Sequence, residues 1–295
     1  MILCAGGAGS IGSEVVRRLV RDDVPVRVLD YNEEGLWSLK AELPQIEIML
    51  GDVRRRYDAE RACEGCSSTI YAAALKHVDL CEQNPSLARE VNTNAVEHFR
   101  FVNHIVYVST DKAIQPESAM GRSKSDGEKI AIGLGGNVVR FGNVIGTRGS
   151  LVPMVQRCAE LGRPIPLTDP NMTRWMMPVS EAVDLILEAL RSPQRGQVFH
   201  PHNLQAVNIG RFIEFCRDEL ARDCPIQHTH SRPGERLHEP MEVDGSIRWS
   251  NEPAFLMCDA DMLHLIHGAT EPPLSRRGVT SGAPLRASKH ETAVA

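Results

Sequence analysis

The sequence predicts an α/β protein: a doubly wound parallel sheet followed by a smaller, mixed C-terminal part. Three observations lead there. Short β-branched runs alternate with amphipathic stretches through the first half of the chain, the pattern of βαβ units. A glycine-rich turn joins the first apolar run to the first amphipathic stretch. After Gly149 the alternation loosens into helical stretches separated by Pro- and Arg-bearing loops.

In chain order, the apolar runs predict strands at 2–5, 26–30, 47–50, 69–72, 105–109 and 138–141. Helical spacing predicts helices at 10–21, 35–42, 86–101 and 121–132; in the first, Ile11, Val15, Val16 and Leu19 share one face. Residues 94–104 are short for a crossover helix plus its loop, and Gly133, Gly135 and Gly136 compress the next connection. Further helices are predicted at 151–161, 180–191 and 209–221. The expected division is 1–149 for the sheet, 150–267 for the C-terminal part and 268–295 for a disordered tail rich in Gly, Pro, Ser and charge.

Bulk properties narrow the function. A chain of 295 residues can bury a substantial core, and 42% hydrophobic with 24% charged residues is ordinary for a globular protein. A net charge of -5 argues against nucleic-acid binding, which calls for clustered Lys and Arg. No apolar run approaches the ~20 residues that cross a bilayer, and the start lacks a signal-peptide pattern, so the expected compartment is the cytoplasm, without a membrane partner. Eight cysteines are scattered, and the tight pair Cys63/Cys66 reads as two loop thiols. His200/His202 and His228/His230 read as loop histidines without a third ligand, so no metal site is expected.

The opening segment carries the first chemistry. Gly6, Gly9 and Gly12 follow an apolar run and open a helix at Ser10 and Ile11. A dinucleotide pyrophosphate needs this arrangement, because it must approach the backbone closely and meet the free N–H groups of a helix N-terminus. Asp30 ends the second run, where a carboxylate can accept from the adenosine ribose hydroxyls, and Asp52 and Val53 suit the adenine edge. The first half therefore reads as a Rossmann-type domain binding NAD(P). Asp30 favours NAD, since it would repel a 2′-phosphate; Arg54–Arg56 keep NADP open.

The second chemistry lies at 105–124. The run ends in Ser109-Thr110-Asp111-Lys112, and Met120-Gly121-Arg122-Ser123-Lys124 follows. Short-chain dehydrogenases place Ser or Thr at this strand end and Tyr-x-x-x-Lys on the next helix. Here Lys124 is in place, but Met120 holds the Tyr position and cannot transfer protons.

The ordered set of segments 6–14, 72–78 (including Ala72 and Ala73), 109–113, 140–144 and Arg232-Pro233-Gly234-Glu235 resembles the CapD-like polysaccharide-biosynthesis dehydratases, which include UDP-N-acetylglucosamine 4,6-dehydratases. Some branches of that family carry Met where others carry Tyr. The resemblance implies transient hydride transfer from sugar carbon 4 to NAD+ and its return at carbon 6, with loss of water across carbons 5 and 6 between. By position, Thr110 would hold the 4-hydroxyl, Asp111 would protonate the departing 6-hydroxyl, Lys112 would be the base at carbon 5 and Lys124 would bind the nicotinamide ribose. Ala72 and Ala73 join the cofactor set; Lys76, Asn143, Arg174, Arg232 and Glu235 form the substrate set. Within it, the two arginines, each expected in a loop, would grip a UDP pyrophosphate. Taken alone, Lys76 fits a surface loop as well as a substrate contact, and Asn143 could cap a turn. A UDP-sugar and a homo-oligomer are the implied partners. Two alternatives stand: a 4-epimerase or oxidoreductase on a similar sugar, and a degenerate, cofactor-binding but inactive protein.

Overall fold

The computed structural model describes residues 1–270. Among them, β1 (Ile2–Ala5), α1 (Ser10–Arg21), β2 (Val26–Asp30), α2 (Glu33–Glu42), β3 (Glu47–Leu50), α3 (Arg56–Cys63) and β4 (Ser68–Tyr71) form the first half of a doubly wound layer. Then come α4 (Val78–Gln83), α5 (Pro85–Asn92), a 3₁₀ segment Asn94–Phe99, β5 (His104–Val108), a 3₁₀ turn Asp111–Ala113, α6 (Ala119–Gly133) and β6 (Asn137–Val139). Past them lie β7 (Asn143–Val144), α7 (Leu151–Glu160), β8 (Ile165–Leu167), β9 (Thr173–Met177), α8 (Val179–Arg191) and β10 (Val198–Phe199). The rest comprises β11 (Ala206–Asn208), α9 (Ile209–Leu220), β12 (Ile226–His228), β13 (Pro240–Val243), β14 (Ser246–Trp249) and α10 (Asp259–Thr270).

Seven of the described strands make one parallel sheet in the order β10-β6-β5-β4-β1-β2-β3. The order reverses between β1 and β4, with Ala5 paired to Tyr71, so the crevice beyond their C-terminal ends is the switch point where such sheets bind ligands. The period-two alternation of strands splits the core. Cys4, Val28, Ile70 and Val106 face one way, toward Val15, Val16, Leu19 and Ile186. Leu3, Leu29, Tyr71 and Tyr107 face the other way, toward Ala59, Ala95 and Phe99. A separate cluster around Val152, Ile165, Phe212 and Ile266 holds the C-terminal elements together.

Several sequence expectations shift. The helix expected at 86–101 ends at Asn92 because the Asn-Thr-Asn run favours side-chain hydrogen bonding over helix. The hydroxyls of Tyr71 and Tyr107 then donate to the carbonyls of Val91 and Asn92, both at 2.6 Å, satisfying the helix end. Helices α3 and α4 are polar and short and escaped the periodicity argument. Cys63 is consequently a buried residue at a helix end and Cys66 is half-buried, a correction to the reading of two loop thiols; both are free. Arg174 lies on strand β9, not in a loop. Chain from beyond residue 149 supplies β10 at the sheet edge and α8 on its face. Helix α10 runs to Thr270, so residues 268–270 are helical, and the remainder of the expected tail lies outside the described residues. Among the described residues no helix is long and apolar enough to cross a membrane, and no group of three or more His, Cys, Asp or Glu could hold a metal ion.

Candidate active site

The turn after β1 is pressed against the end of β4. Gly6 sits at φ +80°, and a Cβ there would lie 2.4 Å from the Ala73 amide nitrogen, so only glycine fits. Helix α1 starts at Gly9 with no side-chain cap, which leaves the amides of its first turn for another acceptor. Asp30, buried at 7% exposure, is fastened by the backbone: its Oδ2 accepts from the Ala8 N–H and its Oδ1 from the Asn32 N–H, each at 3.0 Å. Any ribose contact would be additional to these bonds. Asp52 is gripped side-on by the Arg54 guanidinium, which holds its carboxyl below the usual range. The Val53 carbonyl meets a ring nitrogen of His98 at 3.1 Å, and the Ala72 N–H donates to the Ala5 carbonyl at 2.8 Å.

Arg148, which carried no sequence signal, closes this mouth. Its backbone N–H donates to the Ser10 hydroxyl at 3.0 Å and its guanidinium to the Ala8 carbonyl at 2.6 Å. Lys76 donates to the Arg148 carbonyl at 2.7 Å, and burial first, then the Arg148 charge, lowers its pKa. Ala8, Ser10, Asn32, Thr147 and Arg148 line part of a groove of about 1170 Å³.

The second cluster sits beyond β5. Thr110, Asp111 and Lys112 form a tight turn held from behind by α6: a Cβ at Gly121 would lie 2.2 Å from the Lys112 carbonyl oxygen. Ser109 donates at 2.5 Å to Glu128, a buried carboxylate that also takes the Arg140 guanidinium at 2.6 and 2.9 Å. This ion pair ties β5, α6 and the end of β6 together. Asp111 is fully buried; its Oδ1 accepts from the Thr110 hydroxyl at 2.8 Å and from the Lys112 ammonium at 3.0 Å, while its Oδ2 has no partner. The Lys112 Nζ also lies 3.5 Å from Asn143 Oδ1 and 3.4 Å from Glu239 Oε1. Burial opposes the charge on Lys112, but the Asp111 and Glu239 carboxylates outweigh it and hold the pKa above the usual lysine range.

Met120 packs with Cys81, Ala88 and Ala119 in a small apolar cluster. One turn on, Lys124 is 4% exposed; its ammonium donates to the Val108 carbonyl at 2.7 Å and lies 4.6 Å over the Tyr107 ring. Burial pulls its pKa down to about 7 despite Glu128 and Cys81.

The substrate set divides. Asn143 joins the catalytic cluster. The Arg174 guanidinium is buried and engaged by the carbonyls of Thr173, Arg236 and Leu237, with Glu239 3.8 Å from its Nε. Arg232 and Glu235 form an exposed turn, Glu235 accepting from the Arg232 N–H at 3.1 Å, with Gly234 at φ +79° inside it. That turn leaves the Arg232 guanidinium in solvent. Glu239, like Arg148 and Glu128, is a residue the sequence did not single out: it lies in a run of charges whose burial only the fold reveals.

Comparison with known proteins agrees with this architecture. The chain matches the polysaccharide biosynthesis protein family over residues 2–257. An uncharacterized membrane protein of Methanocaldococcus jannaschii is 36% identical, covering 83% of this chain and 81% of that protein. A UDP-glucose 4-epimerase of Rickettsia rickettsii is 31% identical over 81% of this chain and 76% of its own length. The capsular polysaccharide biosynthesis protein CapD of Staphylococcus aureus is 32% identical over 81% of this chain, which spans 44% of that longer protein. Among solved structures, Pen from Bacillus thuringiensis superposes with a TM-score of 0.84 at 23% identity, covering 90% of this chain and 96% of that one. DesIV of Streptomyces venezuelae, a dTDP-glucose 4,6-dehydratase with NAD and TYD bound, superposes with a TM-score of 0.77 at 22% identity over 90% and 96% of the two chains. The structural likenesses establish the fold. The chain belongs to the polysaccharide biosynthesis protein family, related to the nucleotide-sugar-modifying epimerases and dehydratases of the short-chain dehydrogenase/reductase type.

Proposed function

We infer that this chain is an NAD-dependent 4,6-dehydratase of UDP-N-acetylglucosamine or a closely related UDP-hexosamine. The observation that carries the reading is the turn Thr110–Asp111–Lys112, a buried acid and a partly exposed amine side by side, next to a helix whose Tyr position is Met120. Elimination of water needs an acid at the leaving oxygen and a base at the carbon beside the ketone. In this reading the carbon 5 proton passes to the Lys112 amine, the Asp111 carboxyl gives a proton to the carbon 6 oxygen, and that C–O bond breaks as water departs. Thr110 holds the 4-hydroxyl. Lys124, one turn beyond Met120, would hold the nicotinamide ribose.

The residues suit the cofactor. The Gly6 cradle, which a Cβ would fill, and the uncapped start of α1 are what a pyrophosphate requires. When bound, NAD would supply the transient acceptance of hydride at carbon 4 and its return at carbon 6. Asp30 puts a negative charge where a 2′-phosphate would lie. Of the three arginines that keep NADP open, Arg54 and Arg56 are paired with Asp52 and Glu60, while Arg55 is exposed. The Asp30 charge and these two pairings support NAD over NADP. The exposed Arg232 is the remaining arginine of the substrate set for a UDP pyrophosphate, and Arg174 would act by fixing the 236–237 backbone.

One further reading has specific support: relatives named UDP-glucose 4-epimerase match 81% of the chain at 29–31% identity. Incubation with UDP-N-acetylglucosamine followed by mass analysis separates the two. Loss of one water supports dehydration. A new stereoisomer of unchanged mass supports epimerisation, and an unchanged substrate refutes both.

A further inference from the structure

Dehydration without a tyrosine constrains where protons go. Two protons leave the sugar, from the 4-hydroxyl and from carbon 5, and two are returned, to the departing hydroxide and to carbon 5. The Asp111 carboxylate, bonded to the Thr110 hydroxyl, takes the 4-hydroxyl proton and returns it to the departing hydroxide. Lys112 can receive one only as a neutral amine, yet in the resting protein two carboxylates hold it as an ammonium. Some group must take that proton first.

Resting on the reading of Lys112 as base, we propose that Glu239 is the proton-accepting partner of Lys112, converting the ammonium–carboxylate pair into a neutral amine and a carboxylic acid when substrate covers the site. The step balances: an N–H bond of the ammonium breaks, an O–H bond forms on Glu239, and no electrons are exchanged. The geometry favours it. Glu239 is 2% exposed, its Oε1 lies 3.4 Å from the Lys112 Nζ, and its buried Oε2 has no partner. Its backbone is anchored independently of the carboxylate, through N–H donation to the Ser250 hydroxyl and acceptance from the Ser250 N–H. The groups facing it are Lys112, Asp111 behind that lysine, Arg174 at 3.8 Å from β9, and Arg236 from its own segment. Burial already lifts the carboxyl above the usual glutamate range, although Lys112, Arg174 and Arg236 pull the other way. Removing the last water over the pair penalises two separated charges more than the neutral forms. Glu239 is therefore a positioning residue that acts through Lys112 and does not itself touch the sugar.

The test uses Glu239→Gln and Glu239→Asp in two measurements. The first needs no turnover: competitive acylation of lysines across pH, read by mass spectrometry against the exposed Lys129. Loss of the carboxylate in Glu239→Gln should lower the pH at which Lys112 reacts by about one unit, a roughly tenfold faster acylation near neutrality, with Lys129 unmoved. The second is the pH profile of turnover. The wild type should be nearly flat around neutrality. The Gln variant should fall on the order of 100-fold at pH 7 and then recover about tenfold per pH unit, because Lys112 must now lose its proton to solvent. The Asp variant should restore a flat profile. An unmoved Lys112 acylation profile overturns the proposal, and so does a loss in the Gln variant that no rise in pH recovers. A chain that leaves the sugar nucleotide unchanged but shows the Lys112 displacement instead refutes the proposed reaction and supports the coupling.

Discussion

Lys124→Met isolates one buried charge. Burial holds the Lys124 pKa at about 7 in the folded chain, against about 10.4 for an unhindered lysine. The folded value lies below the unfolded one, so between them the unfolded chain binds the extra proton and stability rises with pH. The slope approaches about 1.4 kcal/mol per pH unit once the folded lysine is neutral. Averaged over the start of that window, wild-type stability should rise by about 1.5 kcal/mol from about pH 7 to about pH 8.5 through this residue alone. The buried thiols Cys4 and Cys216, pushed up to about 12, act in the opposite direction as unfolded thiols ionise, but equally in both proteins. Methionine keeps the aliphatic stem beside Tyr107 and loses the bond to the Val108 carbonyl, which changes the level of stability and not its slope. Urea titrations at several pH values, followed by tryptophan fluorescence, give both proteins' extrapolated stabilities. If the wild-type and Lys124→Met curves run parallel in pH, Lys124 is not a buried, near-neutral amine, and the reasoning fails.

Other consequences are equally direct. Lys112→Ala and Asp111→Asn should each slow turnover ~100- to 10,000-fold while circular dichroism stays that of the wild type; near-normal turnover in Lys112→Ala would exclude it as the base. Titration calorimetry should find NAD+ tighter than NADP+, and the reverse order would overturn the role given to Asp30. Arg232→Ala should weaken UDP binding by about 2–3 kcal/mol without altering NAD affinity, since its exposed guanidinium is free to make a charge-assisted pair. Arg174→Ala should instead lower thermal stability, because it removes buried donors from three backbone carbonyls; an unchanged melting temperature would refute that role.

The sheet was readable because its information is local. Parallel strands buried on both faces leave short apolar runs, and β1 and β2 fall on the expected residues; the exposed edge strand β3 does so too, through its own run Ile48–Leu50. The same logic explains what was not readable. Helices α3 and α4 are short and polar, so no periodic stripe announces them, and the two-residue β10 is specified by its place beside β6, not by its own sequence. The Asn-Thr-Asn run that ends helix α5 is a local signal, but the partners that the Asn92 side chain takes, the Leu75 backbone and the Ser123 hydroxyl, are set across the fold.

The site follows the same division, and it changes how the chemistry is understood. Gly6 and the Thr110–Lys112 turn are contiguous motifs and appear where the sequence puts them. Glu239, Arg148 and the Glu128–Arg140 pair come from distant segments, and their contacts arise only from the fold: Glu239 and Glu128 are buried by it, and Arg148 is brought across to Ala8 and Ser10. A solvated Glu239 would be one more surface acid; at 2% exposure beside Lys112 it sets that lysine's charge. Asp30, expected as a ribose ligand, also clamps the Ala8 and Asn32 amides and so helps to shape the cradle. Replacing tyrosine by Met120 removes the usual proton carrier from the helix. In the proposed dehydration the acid–base work would then fall to charges gathered from the ends of β5 and β9 and the segment before β13, where mutual neutralisation offsets the cost of their burial. Such a cluster can pass a proton between its own members, so the proposed dehydration can return the protons it takes without a tyrosine.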